Sequence, residues 1–197
     1  GGRAWTVQGD LSLPDAAETI LEAAGRECGR AVNILVNNAA VFHKTALLDV
    51  SYDTLRHELD ANLTAPILLA RAFARRLFEH GDAPPGRIVN LLDRRVASHE
   101  PGCVPYLVSK QALAAFTRSA AVEWAPRITV NGVAPGAVLP PPGKGADYLH
   151  DAAGPVPLEV DCSPADVARA VVFLAASDTM TGQILFVDGG QHLLGNL

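Results

Sequence analysis

The amino-acid sequence predicts an α/β fold: a single-domain, Rossmann-type, doubly wound parallel sheet between two helical layers. Two observations support this prediction. Segments typical of strands and of helices alternate along the chain, and the strand segments are continuous apolar runs. Such runs indicate strands buried on both faces, as in a parallel sheet covered by helices. The 197 residues suit one hydrophobic core, so we assign 1–197 to one domain.

Five segments have the composition of strands, because β-branched and other apolar residues are bounded by polar or Gly/Pro turns. The first, at the start of the chain, is short and ends at Asp10, whereas the other four are typical of buried strands. The segments are RAWTVQGD (3–10), AVNILVNNAA (31–40), PPGRIVNLLD (84–93), RITVNGVAPG (127–136) and GQILFVDGG (182–190).

Four helices are predicted between these strands. Apolar residues at helical spacing follow Pro14, and Pro66 should kink or interrupt the long second helix. Pro126 stops the third helix, and Ser163 followed by proline is typical of an N-cap with Pro at the first helical position. The helical segments are 13–28, 51–81, 104–126 and 163–176. The Pro/Gly-rich region 137–162 follows the carboxyl end of a strand, where such sheets bind ligands, and we predict a substrate loop there.

Composition and charge exclude several functions. The net charge of −5 and the absence of any basic stripe argue against nucleic acid as a partner. No apolar stretch is long enough to span a bilayer, and no signal peptide opens the sequence, so no membrane partner is expected. The three cysteines are odd in number and widely spaced, which predicts reduced thiols and a cytoplasmic protein. The histidines lack ligand spacing, so no metal is expected.

Tyr106 and Lys110 are the first candidate catalytic residues. Four residues apart on a helix, they share a face, and a nearby ammonium favours the phenolate. We therefore expect Lys110 to lower the pKa of Tyr106 from about 10 toward neutrality, which suits a general acid. On its own, this spacing also arises by accident in a helix.

The pair is accompanied by four further motifs in a fixed order: NILVNNAA, DANLTAP, ITVNGVAPGAV and GQILFVDGG. Together they resemble the short-chain dehydrogenase/reductase family over essentially the whole chain. The resemblance implies that Tyr106 is the catalytic acid and that Lys110 binds the nicotinamide ribose. It also implies that Asn62 lies at a helix irregularity and supports a proton-relay water.

The same resemblance implies a dinucleotide site for NADPH, with NADH not excluded. Asp10 and Leu11 would meet the adenine, and the NNAA motif would line the cofactor. The PGAV motif would pack on the nicotinamide and leave one ring face free. The implied cofactor-binding residues, besides Tyr106 and Lys110, are Asp10, Leu11, Asn38, Ala39, Ala40, Pro135, Gly136 and Val138.

Asp93 departs from the general family pattern, which has Ser thirteen residues before the tyrosine. An ionised carboxylate accepts hydrogen bonds and opposes a carbonyl that gains negative charge, but it suits reduction of a C=N bond. This departure resembles the pteridine reductase and dihydromonapterin or dihydrofolate reductase subfamily. In that subfamily a phenylalanine matching Phe42 stacks on the pterin, although Phe42 also suits a plain core position. Phe42, Asp93 and Tyr106 are the substrate-binding candidates.

The resemblance therefore implies an NADPH-dependent reductase of a pterin or dihydrofolate-like ring, and a homotetramer formed through the long helices. A short-chain carbonyl reductase for ketones or 3-oxoacyl groups is one alternative. A non-catalytic relative that binds a pterin or a dinucleotide is another. The family's first two strands and its Gly-rich TGxxxG turn have no counterpart here, so we expect the natural protein to have about fifty further residues before this sequence.

Overall fold

The sheet has four parallel strands in sequential order, β1-β2-β3-β4. The computed structural model describes residues 2–11, 13–79, 83–140, 143–145 and 154–194. Parallel pairing fixes the register, in which Val36 lies beside Val89 and Val89 beside Asn131. The strands are β1 Ile34–Asn37, β2 Gly86–Leu91, β3 Ile128–Pro135 and β4 Ile184–Val187. The predicted parallel α/β fold is confirmed.

The helices follow the predicted order. They are α1 Ala16–Cys28, α2 Tyr52–Leu59, α3 Ala65–Glu79, α4 Val104–Glu123 and α5 Pro164–Ala176. The 3₁₀ turns are Leu47–Asp49, Arg94–Ala97 and Gln191–Leu194. Ser163 caps α5 as predicted, and α4 ends before Pro126.

Helices cover both faces of the sheet. On one face α1, α3 and α4 pack against β2 and β3 around Phe73, Ile88 and Val130. On the other face α5 packs through Leu174 against Val89 and Val133. Ile88 and Val89 are adjacent in β2 and so point to opposite faces. Both are buried, which explains why the strand segment is a continuous apolar run.

The long second helix is interrupted, as Pro66 predicts. Residues Asp60–Thr64 form a π-helical turn between α2 and α3, and the amide of Ala65 donates to the carbonyl of Asp60. Proline has no N–H, so Pro66 cannot supply the bond that the carbonyl of Asn62 would receive in an α-helix. This widened turn leaves Asn62 buried at a helix irregularity. The predicted helix end at Gly81 lies outside the described residues.

The predicted first strand is wrong. Residues 3–10 have no regular secondary structure and are almost entirely exposed. A strand needs a hydrogen-bonded neighbour, and within the described chain β1 pairs only with β2. The outer edge of β1 therefore has no described partner, and Ile34 and Val36 remain 45% and 40% exposed. In the predicted loop 137–162, residues 141–142 and 146–153 lie outside the described part.

The capping box of α5 gives a test of the fold. The Asp166 amide donates to Ser163 Oγ at 3.2 Å, and the Ser163 amide donates to Asp166 Oδ2 at 2.9 Å. Ser163→Ala should lower the free energy of unfolding by about 1 kcal/mol, measured by urea denaturation. Ser177→Ala, at the exposed C-terminal end of the same helix, is the control and should change it by at most a few tenths. Equal losses in both variants would contradict this role.

Candidate active site

The carboxyl ends of the parallel strands bring the predicted site residues to one edge of the sheet. Asn38 follows β1, Asp93 lies two residues after β2, and Gly136 follows β3. Tyr106 and Lys110 lie in the first two turns of α4, which packs on β3. Since ligands of open α/β sheets bind at this edge, these residues form the candidate active site.

Tyr106 and Asp93 are hydrogen-bonded directly. The Tyr106 hydroxyl donates to Asp93 Oδ2 at 2.9 Å. Asp93 caps the 3₁₀ turn Arg94–Ala97, and its Oδ1 accepts from the Arg95 amide at 2.8 Å. The carboxylate is thus held by backbone and presented to the phenol.

Arg95 continues this arrangement. Its Nη1 lies 3.3 Å from Asp93 Oδ2, and its Nε donates to Glu100 Oε2 at 2.7 Å. The guanidinium carbon lies 5.6 Å from the centre of the Phe42 ring, within cation–π range. Phe42 in turn meets Tyr106 edge to face, with ring centroids 4.8 Å apart. The phenol is therefore flanked by a carboxylate and an aromatic ring.

Lys110 is buried beside Tyr106. Its Nζ donates to the carbonyl of Leu91 at 2.8 Å and lies 5.8 Å from the centre of the Tyr106 ring. Burial lowers the pKa of Lys110 from 10.5 to about 8, while the nearby charges of Asp93 and Glu58 act to raise it. The ammonium is therefore held at the end of β2 at the cost of its desolvation.

The pKa of Tyr106 contradicts the sequence-based expectation. It is raised above its ordinary value, first by burial and then by the charge and hydrogen bond of Asp93. The Arg95 guanidinium acts in the opposite direction but does not reverse the shift. The expected lowering by Lys110 is wrong, because burial disfavours the phenolate and because a carboxylate, rather than the ammonium, is bonded to the phenol. Tyr106 is consequently held as the neutral acid.

Asn62 is bonded within the site. Its Oδ1 accepts from the Val41 amide at 2.8 Å, and its Nδ2 donates to the Val41 carbonyl and to Glu58 Oε2, each at 2.8 Å. Glu58 is 1% exposed and also accepts from the amide and Nδ1 of His43, both at 2.8 Å. These contacts place Asn62 beside the segment that carries Phe42.

The predicted nucleoside-binding residues fall in two groups. Leu11, Asn38 and Ala39 line a cavity of about 290 Å³ at the carboxyl end of β1. Asp10 and Ala40 are exposed and do not line this cavity. Asn37, also in the lining, is buried, and its Oδ1 has no hydrogen-bond partner among the described residues. An apolar wall with an unsatisfied amide oxygen fits a nucleoside with N–H or O–H donors.

The predicted nicotinamide-side residues follow β3. Pro135 ends the strand, and the Gly136 amide donates to the Val187 carbonyl at 2.9 Å. A Cβ at Gly136 would lie 3.1 Å from Asp188 Cα, so the backbones of these two segments approach closely. Val138 is half-buried beyond them. A side chain at position 136 would require these segments to move apart by a few tenths of an ångström, so the glycine favours the close approach.

Sequence reasoning does not single out Arg95, Glu58, His43 or the Asn37–Asn90 pair. Asn37 Nδ2 donates to Asn90 Oδ1 at 2.8 Å and links the ends of β1 and β2. One signal was available for Glu58, which precedes Asn62 by four residues and therefore shares its helix face. Arg95 follows Asp93 by two residues, and nothing in that spacing predicts the contact with Phe42.

The three cysteines, Cys28, Cys103 and Cys162, are free thiols. The described residues contain no group of three metal-ligating side chains. None of their helices combines the length and apolarity needed to cross a bilayer.

A Rossmann-type sheet with a buried Tyr–Lys pair at its carboxyl edge defines a nucleotide-dependent oxidoreductase. The family model described as enoyl-(acyl carrier protein) reductase matches residues 1–192. Carbonyl reductase family member 4 of Danio rerio is 36% identical over 187 residues, which cover 94% of this chain and 76% of that protein. The 3-oxoacyl-(acyl-carrier-protein) reductase of Synechocystis sp. is 30% identical over 194 residues, covering 96% and 76%.

The chain belongs to the short-chain dehydrogenase/reductase family, whose members are NAD(P)-dependent oxidoreductases. Among solved structures, FolM alternative dihydrofolate reductase 1 from Brucella canis complexed with NADP has a TM-score of 0.86 and 30% identity, covering 95% of this chain and 72% of that one. A short-chain type dehydrogenase/reductase from Mycobacterium marinum also has a TM-score of 0.86, with 32% identity and coverage of 97% and 76%.

The buried Lys110 gives a pH-dependent test of stability. Below about pH 8 both the folded and the unfolded chain bind its proton, and the cost of burying the charge is fully present. Between about pH 8 and 10.5 only the unfolded chain binds it, so folding is favoured as the pH rises. The unfolding free energy of the wild type relative to Lys110→Met should therefore increase by about 3 kcal/mol from pH 7 to 10.5.

Urea denaturation of both proteins at several pH values measures this difference. Other titrating groups are common to the two chains and cancel to first order. The comparison is therefore insensitive to the general alkaline loss of stability. A difference that stays constant over this range would show that the pKa of Lys110 is not lowered.

Proposed function

We propose that this protein reduces a C=N bond of a pterin or dihydrofolate-like ring with NADPH. The observation that carries the proposal is the hydrogen bond from Tyr106 to Asp93. In the reaction the ring carbon gains a hydride, the ring nitrogen gains a proton, and the double bond becomes a CH–NH single bond. The bound nicotinamide would supply the hydride.

The charge of Asp93 suits this reaction. A C=N nitrogen gains positive charge as it takes a proton, and an adjacent carboxylate stabilises that charge. A carbonyl oxygen gains negative charge on hydride addition, which the same carboxylate would oppose. Tyr106, held protonated by its raised pKa, donates the proton to the ring nitrogen. Asp93 is the acceptor bonded to the phenol; after it takes a proton from solvent, it can pass that proton to the Tyr106 phenolate left by the transfer.

The aromatic surface beside the phenol suits a flat ring. Phe42 is 43% exposed although it packs edge to face on Tyr106. An exposed aromatic face beside a proton donor can stack on a heterocycle and place its nitrogen near the donor. The structural likeness to the FolM protein of Brucella canis, described as an alternative dihydrofolate reductase, supports this substrate class.

Residues at the sheet edge can hold the cofactor. Leu11, Asn38 and Ala39 fit the nucleoside end, and Pro135 and Gly136 fit the nicotinamide end. Lys110 would donate to the nicotinamide ribose, with its charge already at the end of β2. The preference for NADPH over NADH rests on the likeness to a protein solved with NADP.

Reduction of ketones or 3-oxoacyl groups is the second candidate. The 36% identity to a carbonyl reductase and the 30% identity to a 3-oxoacyl reductase favour it. In that case Arg95, which pairs with Asp93 and lies beside the site, must offset the carboxylate charge. A relative that binds ligands without turnover is the third alternative.

The first experiment compares NADPH oxidation with a dihydropterin and with a simple ketoester. We expect turnover of the dihydropterin, and Asp93→Ser should lower its kcat by about 10²-fold or more, since one general acid–base group contributes about that factor. Asp93→Asn, which keeps the shape of the side chain without its charge, is the matched control for packing and should also lose pterin turnover.

The outcomes separate the alternatives. Turnover of the ketoester alone, with activity kept or raised in Asp93→Ser, would replace the proposal by a carbonyl reductase. Binding of NADPH by the folded protein without turnover of either compound would favour the non-catalytic relative. Retention of full pterin activity in Asp93→Ser would exclude the role given to the carboxylate.

We further propose that α3 and α4 associate in a homotetramer. Phe78 on α3 and Val108 and Val122 on α4 are exposed, Val122 by 81%. Apolar side chains grouped on neighbouring helices favour association. Light scattering after size exclusion should give four times the mass of the chain, and Val122→Glu should give a smaller particle. A monomeric wild type would contradict this proposal.

A further inference from the structure

A buried carboxylate adjoins the site and has no part in the proton transfer proposed above. Glu58, on α2, is 1% exposed. Its Oε1 accepts from the backbone amide and from Nδ1 of His43, and its Oε2 accepts from Asn62 Nδ2, all at 2.8 Å. Burying an unpaired carboxylate costs several kcal/mol of desolvation. We therefore considered which contacts of Glu58 offset this cost and what they position.

These bonds hold the backbone on both sides of Phe42. On one side, Asn62 binds the amide and the carbonyl of Val41, each at 2.8 Å. On the other side, Glu58 binds the amide of His43. Glu58 also orients Asn62 through Nδ2. The segment 41–43 is irregular, so these side chains replace the hydrogen bonds that a strand or helix would provide.

We propose that Glu58 is a positioning residue that fixes Phe42 against Tyr106 and thereby sets the affinity for the ring substrate. The substrate part of this inference rests on the proposed pterin function. Phe42 contacts Tyr106 with a centroid distance of 4.8 Å and has a large exposed face. Displacement of segment 41–43 would move that face relative to the proton donor.

Only a carboxylate satisfies the position. The His43 amide and Asn62 Nδ2 both donate to it, and His43 Nδ1 donates to it in the tautomer that carries a hydrogen on this nitrogen. Asn62 cannot reverse its amide, because Val41 fixes both its oxygen and its nitrogen. A glutamine at 58 would place an N–H against one of these donors in either orientation. Glu58→Gln therefore breaks the arrangement with almost no change in volume.

Glu58 also has an electrostatic effect on the proton-transfer groups. Its charge acts to raise the pKa of Lys110 and of Tyr106, in the same direction as Asp93 and against Arg95 at Tyr106. Removal of the charge should therefore lower both pKa values. This effect gives a readout that a purely structural residue would lack.

A double-mutant cycle tests the inference with Glu58→Gln, Phe42→Leu and the double variant. Each single variant should raise KM by about tenfold with a smaller change in kcat, since an aromatic contact contributes up to about that factor. If Glu58 acts through Phe42, the double variant should also lose about tenfold rather than about a hundredfold. In Glu58→Gln the alkaline limb of the kcat profile should move to lower pH.

Wild-type rates on dihydropterin and ketoester decide the proposed function first, and the cycle is measured on whichever compound is turned over. The rates test the pterin proposal and the cycle tests the role of Glu58, so the two proposals can fail separately. Glu22→Gln, which removes an exposed carboxylate on α1, is the charge control and should leave KM and the pH profile unchanged. Should Glu58→Gln fold poorly, His43→Ala removes only the side-chain contact and should raise KM by about twofold.

A crystal structure of Glu58→Gln gives a readout independent of activity. We expect segment 41–43 to shift and the distance between the Phe42 and Tyr106 rings to change. Additive effects in the cycle, an unchanged KM in Glu58→Gln and in His43→Ala, or an unmoved Phe42 ring would each overturn the proposal.

Discussion

The hydrogen bond between Tyr106 and Asp93 constrains the rest of the site. It joins the turn after β2 to the first turn of α4, and it sets the charge that a substrate meets. A phenol bonded to a carboxylate stays protonated, so the site offers a proton beside a negative charge. This combination suits a substrate that becomes more positive during reduction. The site also offers a flat aromatic surface, the ring of Phe42, which contacts the same phenol.

The surrounding side chains make this arrangement rigid. Arg95 holds Asp93 through its amide and guanidinium, and Glu100 holds the guanidinium of Arg95. Behind the phenol, the π-helical turn buries Asn62, and Glu58 reaches it from the preceding turn. Asp93 and Arg95 are thus paired with opposite charges, Glu58 accepts from a set of donors, and the Lys110 ammonium donates to the Leu91 carbonyl. These hydrogen bonds offset the cost of burying the polar groups. They also hold the neighbouring side chains in place around the site.

Much of the fold follows from the sequence, because apolar runs and helix caps are local signals. The four parallel strands, the cap at Ser163 and the break before Pro66 are of this kind. Residues 3–10 show where local signals fail, since strand composition produces no strand without a hydrogen-bonded neighbour. The resemblance to the short-chain family likewise implies that Asp93 lies beside Tyr106. The direction of the Tyr106 pKa shift depends on burial and on which partner is closest, and neither quantity is local in sequence.

Glu58 shows most clearly what local sequence signals do not predict. On an amphipathic helix a glutamate is normally solvated, and its burial here depends on three donors brought together from two segments. Asn62, buried in the π-helical turn, and segment 41–43 meet there through the bonds of Asn62 to Val41 and of Glu58 to His43. The carboxylate in turn acts on Lys110 and Tyr106, which also lie near Asp93. The half-buried carboxylate of Asp93 and the buried carboxylate of Glu58 thus both raise the pKa of the same proton donor, Asp93 by direct contact. A substrate that develops positive charge would gain from both carboxylates, and this gain supports the proposal of C=N rather than C=O reduction.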